Sequence, residues 1–391
     1  MGTPLVSTNI ASGLRETFRD IYGGAARLYR APGRINLIGE HTDYNDGFVM
    51  PVAIDLYVWV AIAPRNDRKL VVRSVNFPGE VTIDIEENDA QARRHWSDYI
   101  QGVAVMLLRA GHHLQGANIL IRGDVPVGAG LSSSAAIEVA TALALLEGSG
   151  GRVDRVELAK LCQRAENEFV GARVGIMDQF VSSCGQAGQT LLLDCRSLQY
   201  RLLPLPRGVS LVICNTMVKH EHSSSGYNQR RAECEEGVRL LRGWLPQVRA
   251  LRDVTEQDLA RHAAELPATI RKRCRHVVRE NARVCDAVTE MENGNLSAFG
   301  RLMQESHQSL RNNYEVSCPE LDLMVELAGK QEGLYGARMM GGGFGGCTVN
   351  LVRSGAAAKF GDKVASAYEN ATGIAPEIFV TSAADGASEV Q

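Results

Sequence analysis

Residues 117–146 read "ANILIRGDVPVGAGLSSSAAIEVATALALL", and no other stretch limits the fold as strongly. An apolar, β-branched run ends near Val125, and Gly128 and Gly130 then allow a tight turn. Three hydroxyls, Ser132, Ser133 and Ser134, lead straight into a helical pattern over 136–146. A strand that turns through glycine into a helix demands a fold in which sheet and helix pack together. Free amides at the start of that helix, aided by its dipole, make an anion site, and the glycines keep side chains out of the way. One serine would be enough for an N-cap, so three in succession exceed what capping requires. No Gly-Lys-Ser/Thr follows, which excludes a Walker A loop.

The rest of the 391-residue chain suits two domains, with 45% hydrophobic residues to fill their cores and 39 glycines for turns. A formal charge of -3 without a basic cluster argues against nucleic acid or an anionic membrane as partner. The nine cysteines are scattered and form no C-x-x-C pair. That pattern fits reduced, buried thiols in a cytoplasm rather than a disulfide framework or a zinc site. No signal segment opens the sequence, and no apolar run nears the ~20 residues that span a bilayer. The expectation is a cytoplasmic protein without a membrane partner.

Along the chain, strands are expected at 56–63, 80–85, 117–125, 189–195 and 209–216, and again at 347–352 and 377–382. Helices are expected at 136–146 and 154–170, the latter opened by Asp154 and Glu157 as an N-cap pair. Longer helical patterns cover 226–243, 255–264, 268–292, 296–310 and 319–332. "LPLPRG" (203–208) reads as a linker and the tail "AADGASEVQ" as frayed. Two α+β domains result, 1–205 and 206–391.

Three further features carry charge or glycine where chemistry could use them. "RAPGRINLIGEHTDY" (30–44) crowds Arg34, Glu40, His41, Asp43 and Tyr44 against the apolar Ile35, Leu37 and Ile38. "MMGGGFGGCTV" (339–349) contains G-x-G-x-x-G, but its glycines enter a strand and not a helix, so a dinucleotide fingerprint is rejected. What remains is room for another backbone or a ligand to come very close. In "ENEFVGARVGIMDQFVSSCG" (166–185), Glu166 falls at the flank of the apolar helix stripe and reads by default as solvated. Asp178 lies among Ile176, Met177, Phe180 and Val181, company in which a carboxylate is usually a cap or is paired with a base. Arg34 is the best partner for it. His112, His113, His220 and His222 lack metal-ligand spacing and read as surface residues.

Taken together, the three motifs at 33–51, 126–136 and 339–346 resemble those of the GHMP small-molecule kinases, and "GRINLIGEHTDYNDGFVMP" (33–51) looks like the signature of the galactokinases among them. The resemblance runs in order from about residue 30 to 350. It implies an amino-terminal domain similar to ribosomal protein S5, a ferredoxin-like carboxy-terminal domain and an active site in the cleft between them. It also implies ATP-dependent phosphorylation of D-galactose at the C1 hydroxyl, giving galactose 1-phosphate and ADP. By the same resemblance, Glu40, His41, Thr42, Asp43, Gly175 and Tyr227 are sugar-binding, and Gly128, Ala129, Gly130, Leu131, Ser132, Ser133 and Ser134 wrap the ATP phosphates. Ser134 and Glu166 match magnesium-binding positions, Asp178 the catalytic aspartate, and Arg34 its cationic partner beside the anomeric hydroxyl. Galactose and ATP are the partners so implied, with a monomer the favoured state. A kinase for N-acetylgalactosamine or arabinose is the alternative within the group. A sensor that binds sugar and ATP without turnover is the alternative outside it.

Overall fold

The computed structural model describes residues 3–87, 91–219 and 223–391. The amino-terminal elements are α1 (Thr3–Tyr22), β1 (Arg27–Asn36), β2 (Phe48–Val49), β3 (Pro51–Pro64), β4 (Lys69–Ser74), β5 (Glu80–Asp84), α2 (Asp98–Arg109) and β6 (Ala117–Gly123). There follow α3 (Ser133–Gly148), α4 (Arg155–Arg164), a π-helical segment (Ala165–Val170), α5 (Met177–Cys184), β7 (Gln189–Asp194) and β8 (Tyr200–Pro204). After these come β9 (Val209–Lys219), α6 (Ser223–Leu241), α7 (Glu256–Arg261), α8 (Ala268–Glu292), α9 (Leu296–Ser309), a second π segment (Leu310–Tyr314) and α10 (Pro319–Gly329). The chain closes with β10 (Leu334–Met339), β11 (Gly345–Arg353), α11 (Ala357–Thr372), β12 (Glu377–Thr381) and β13 (Ser388–Val390).

Six strands form the first sheet in the order β13-β1-β3-β6-β4-β5, antiparallel except where β4 meets β6. Against it lies α3, which is buried on nearly every face from Ala135 to Leu146. A helix apolar all round belongs inside a domain, and its small residues (Ala135, Ala136, Ala140, Ala142, Ala144) let sheet and helices approach it. Because β6 delivers the chain to the start of α3, the glycine turn between them sits at the rim of this core.

The second sheet runs β10-β11-β9-β12, antiparallel throughout. With its helices it follows a β-α-β-β-α-β order, a ferredoxin-like arrangement with a helical insertion between β9 and β10. A small sheet, β2-β7-β8, completes the structure.

Several expectations need correction. Leu203 and Pro204 are not linker but the end of β8, an edge strand where proline costs no ladder bond. The tail is not frayed: β13 pairs with β1 through Leu28–Val390 and Arg30–Ser388, and Arg27 grips Glu389 at 2.7 Å. Residues 154–170 are not one α-helix. Asp154 caps α4 at Val156 and Glu157, but Glu157 itself pairs with Lys160, and the helix widens to π at Ala165. Of the four histidines read as surface residues, His113 is exposed, His112 is half-buried, and His220 and His222 lie outside the described residues.

Candidate active site

Arg34 lies on β1, just past the irregularity that Pro32 and Gly33 impose on the β1–β3 ladder. Gly33 tolerates no side chain there, since a Cβ would fall 2.7 Å from the Leu131 carbonyl. That close approach locks β1 to the glycine turn, and Arg34 N donates to the same Leu131 oxygen. The guanidinium, only 5% exposed, donates from Nε and Nη2 to the two oxygens of Asp178 (2.8 and 2.7 Å) and from Nη1 to the Gly130 carbonyl (2.6 Å). Bidentate geometry of this kind fixes the carboxylate as well as neutralising it. Asp178 projects from the first turn of α5, away from Phe180 and Val181, which are buried.

None of the three serines caps α3. Ser132 takes a left-handed backbone (φ 59) and donates its hydroxyl to Asp178. Ser134 neighbours Glu166 and works to lower its carboxyl, and Ser133 and Ser134 line a cavity of about 470 Å³ with Gly128, Lys219, Phe77 and Trp96. His41 (φ 63) and Phe344 (φ 59) are likewise left-handed, one in each of the other two motifs. Strained backbone of this sort persists where surrounding contacts over-determine it, as at ligand sites.

A second cavity of about 420 Å³ is lined by Asp178 itself with Arg34, Glu40, His41, Asp43, Gly175 and Tyr227 among others. Glu40 is buried between Arg338 (3.3 Å) and the Gly341 amide, which donates to it at 2.9 Å. Burial pushes its carboxyl up, and Arg338 and Arg34 oppose the rise. The His41 ring shares a 2.7 Å hydrogen bond with the Tyr44 hydroxyl, which in turn meets Tyr314 at 2.8 Å. Burial holds that imidazole well below its ordinary pKa, so it is neutral. Asp43 is pushed up to about 7 by burial and by the charge of Asp178. Gly175 is glycine because a Cβ would stand 1.8 Å from the Asp43 carboxylate. Thr42 differs from its neighbours: its hydroxyl donates to the Gly39 and Phe48 carbonyls and closes the turn rather than lining the cavity.

Helix α8 holds this loop from behind. His276 donates to the Glu40 carbonyl (3.1 Å), Glu280 accepts from Gly39 N (3.0 Å) and Asn281 from Phe48 N (2.9 Å). Burial works to raise the Glu280 carboxyl, yet Arg283, His276 and Arg338 hold it down to about 2. The glycine-rich loop before β11 comes against the turn before α3. A Cβ on Gly341 would lie 3.3 Å from the Gly130 carbonyl, and one on Gly346 3.1 Å from that of Ala129. The backbone for which those glycines leave room is the phosphate-type turn itself.

Glu166 overturns its default reading. It is 6% exposed, accepts from Gln179 Nε2, and burial followed by the charge of Asp178 lifts it to about 7. The flank position assumed 100° per residue, and the π-helical segment breaks that register at Ala165. Reasoning from sequence also missed Arg338 and Lys219. A fully buried arginine inside the apolar strand "LYGARM" was a visible signal, whereas nothing local marks Lys219.

A sequence family described as "Galactokinase galactose-binding signature" matches residues 16–64, "GHMP kinases N terminal domain" matches 98–186, and "GHMP kinases C terminal" matches 287–370. A galactokinase of Roseiflexus sp. (strain RS-1) is 49% identical over 378 residues, 96% of each chain. The chain belongs to the galactokinase family of GHMP kinases. Another relative, the galactokinase of Chloroflexus aggregans, is 48% identical over 93% of each chain. The crystal structure of Lactococcus lactis galactokinase complexed with galactose superposes with a TM-score of 0.94 at 36% identity, over 97% of this chain and all of that one. Mevalonate kinase from Methanococcus jannaschii (TM-score 0.67, 17% identity, 93% and 99% coverage) shares the fold. The two-domain α+β architecture and the sugar-kinase class expected from sequence both stand.

Proposed function

We propose that this enzyme transfers the γ-phosphoryl group of ATP to the C1 hydroxyl of D-galactose, giving galactose 1-phosphate and ADP. One observation carries the reading: Asp178 lines the cavity over Glu40 and Asp43 and is gripped by Arg34 and by Ser132, whose neighbours Ser133 and Ser134 line the other cavity, so an acceptor in the first lies beside a phosphoryl donor in the second. Galactose takes the cavity over Glu40, His41, Asp43 and Tyr227, where oriented donors and acceptors match a ring of hydroxyls. The ATP phosphates take the turn 128–134, and the base lies toward Phe77 and Trp96.

Asp178 accepts the C1 proton as that oxygen attacks in line, and Arg34 holds the carboxylate in place and offsets charge on the transferring group. Ser132 fixes the second carboxylate oxygen, so the base points one way. The residues present fit Mg²⁺. Ser134 and Glu166 offer hard oxygens side by side, and the repulsion between Glu166 and Asp178 is what a cation there relieves. Bound with the nucleotide, Mg²⁺ neutralises charge developing on the phosphates. Among the described residues no group of three or more acidic, histidine or cysteine side chains could hold a metal, as befits an ion shared with nucleotide and water.

The same proposal places the enzyme in the cytoplasm, as nine free thiols suggest. It sets the domain division near residue 205, with β13 returning to the first sheet. No helix of the described residues is long and apolar enough to cross a membrane. The test is a panel of sugars with ATP and Mg²⁺, scored by ADP release. Glucose differs in its C4 hydroxyl alone, and leaving one buried group unpaired costs about 1–3 kcal/mol, so galactose is preferred by about 5–150-fold. Equal kcat/KM for the two sugars would refute the assignment.

A further inference from the structure

Between α3, the π segment and α5 lies a buried polar cluster, of which the reaction as described uses only Glu166. Glu138 and Gln179 are both 0% exposed. The amide of Gln179 donates one hydrogen to Glu138 Oε2 (3.0 Å) and one to Glu166 Oε2 (2.5 Å). Both hydrogens of that nitrogen are then engaged, while Gln179 Oε1 and Glu138 Oε1 have no hydrogen-bond partner.

Two carboxyls facing each other in a core repel, and a lysine or arginine would be the usual remedy. A cation there would also cancel the charge with which Glu166 attracts a metal. An uncharged amide holds the carboxylate in place and leaves that charge available. Gln179 also directly follows Asp178, so consecutive residues of α5 project about 100° apart. One faces Arg34 and the other Glu166. The first turn of a single helix thus sets both the proton acceptor and the carboxylate beside the phosphates.

We propose that Gln179 is a positioning residue, anchored on Glu138, that aims the Glu166 carboxylate at the Mg²⁺ of the bound nucleotide. This rests on the reading that Glu166 meets that ion. Burial, and then the charge of Glu166, lifts the Glu138 carboxyl well above its ordinary value, in keeping with an anchor rather than a second ligand.

The test measures Mn²⁺ binding to the enzyme–ADP complex by the electron paramagnetic resonance of free Mn²⁺, beside galactose binding by calorimetry and the Mg²⁺ dependence of kcat. Residues that orient metal ligands typically account for about 10–100-fold in metal affinity. Gln179→Leu is expected to weaken Mn²⁺ binding at least about tenfold and leave galactose affinity unchanged. Gln179→Asn keeps the amide on a shorter arm and is expected to fall between Leu and wild type. Folded Gln179→Leu with wild-type Mn²⁺ affinity would overturn the proposal. If that variant does not fold, Gln179→Asn decides in its place, and unchanged Mn²⁺ affinity there overturns the proposal equally. Glu166→Gln separates the two layers. If it binds Mn²⁺ normally, the metal reading has failed. If it loses Mn²⁺ while the Gln179 variants do not, only the role of Gln179 has failed.

Discussion

In the cavity over Glu40 and Asp43 the walls are side chains, and most are tied down from elsewhere in the fold. Glu40 is held by Arg338 and Gly341, His41 by Tyr44, and the loop backbone by His276, Glu280 and Asn281 of α8. In the cavity over Ser133 one wall is the glycine turn, with its exposed Val127, and hydroxyls, and the other carries exposed Phe77 beside Trp96. The first surface resists rearrangement because each shift would strand a buried polar group, which costs about 1–3 kcal/mol. On the assignment proposed above, the second would bind through backbone amides, which donate to any phosphate in reach. That assignment concentrates selectivity on the sugar side and leaves the nucleotide side to supply affinity with less discrimination.

The largest effect tests what joins the two sides. Asp178→Asn is expected to lower kcat about 10²–10⁴-fold, the usual range for general-base catalysis. Arg34→Ala should cost a comparable factor. The double variant should lose much less than the product of the two, because groups acting as a unit are non-additive. A double-mutant cycle in kcat/KM with melts on the same samples checks this. Strictly multiplicative losses would dissolve the pair, and losses explained by unfolding would make it merely structural.

Next comes Gly175→Ala. The new methyl would overlap the Asp43 carboxylate, so galactose KM should rise about tenfold or more while ATP KM stays put. A variant with normal galactose KM would mean that the sugar wall is more pliant than its hydrogen bonds imply.

Acidity separates the regions less sharply. Asp43 and Glu166, one on each side, are both raised to about 7 from ordinary values of 3.8 and 4.5. Between those limits the folded protein binds more protons than the unfolded chain, so these groups make stability fall as pH rises through the window. The ligand-free Tm should drop from pH 5.5 to 7.5, and Asp43→Asn or Glu166→Gln should each flatten that slope. A slope unchanged in both variants would mean that neither carboxyl is raised.

The smallest effect belongs to Gly128→Ala. Its φ of 75 disfavours a side chain by about 1–2 kcal/mol, but the nearest obstacle is the flexible end of Lys219. Tm should fall by a few degrees, and ATP KM should rise less than galactose KM does in Gly175→Ala. A larger rise than that would reverse the contrast between rigid and tolerant walls.

Much of this was legible before any coordinates, and the exceptions have physical causes. The strand, turn and helix around Val125 and Ser132 could be read because local propensity and tertiary role agree there. β1 escaped notice because arginines, Pro32 and Gly33 interrupt its alternation, although most of it is buried. Glu166 was misplaced because a π turn leaves no mark in a pattern read at 100° per residue. Arg338 and α8 serve the site from some 240–300 positions away, and sequence spacing cannot report a contact that only folding creates. Thr42 shows the converse: a polar residue inside a ligand motif whose hydroxyl closes a turn.

The return of β13 to β1 has a consequence for biosynthesis. Arg27 and Glu389, 362 positions apart, hold one sheet edge together. While the chain is still emerging from the ribosome, the Leu28–Arg30 edge of β1 keeps an open row of amides and carbonyls until Ser388–Val390 has been translated. An uncovered edge invites pairing with a neighbouring nascent chain. The amino-terminal half can therefore collapse early, yet this edge of its sheet stays open until β13 has been made, and slow translation between the two would lengthen that exposure.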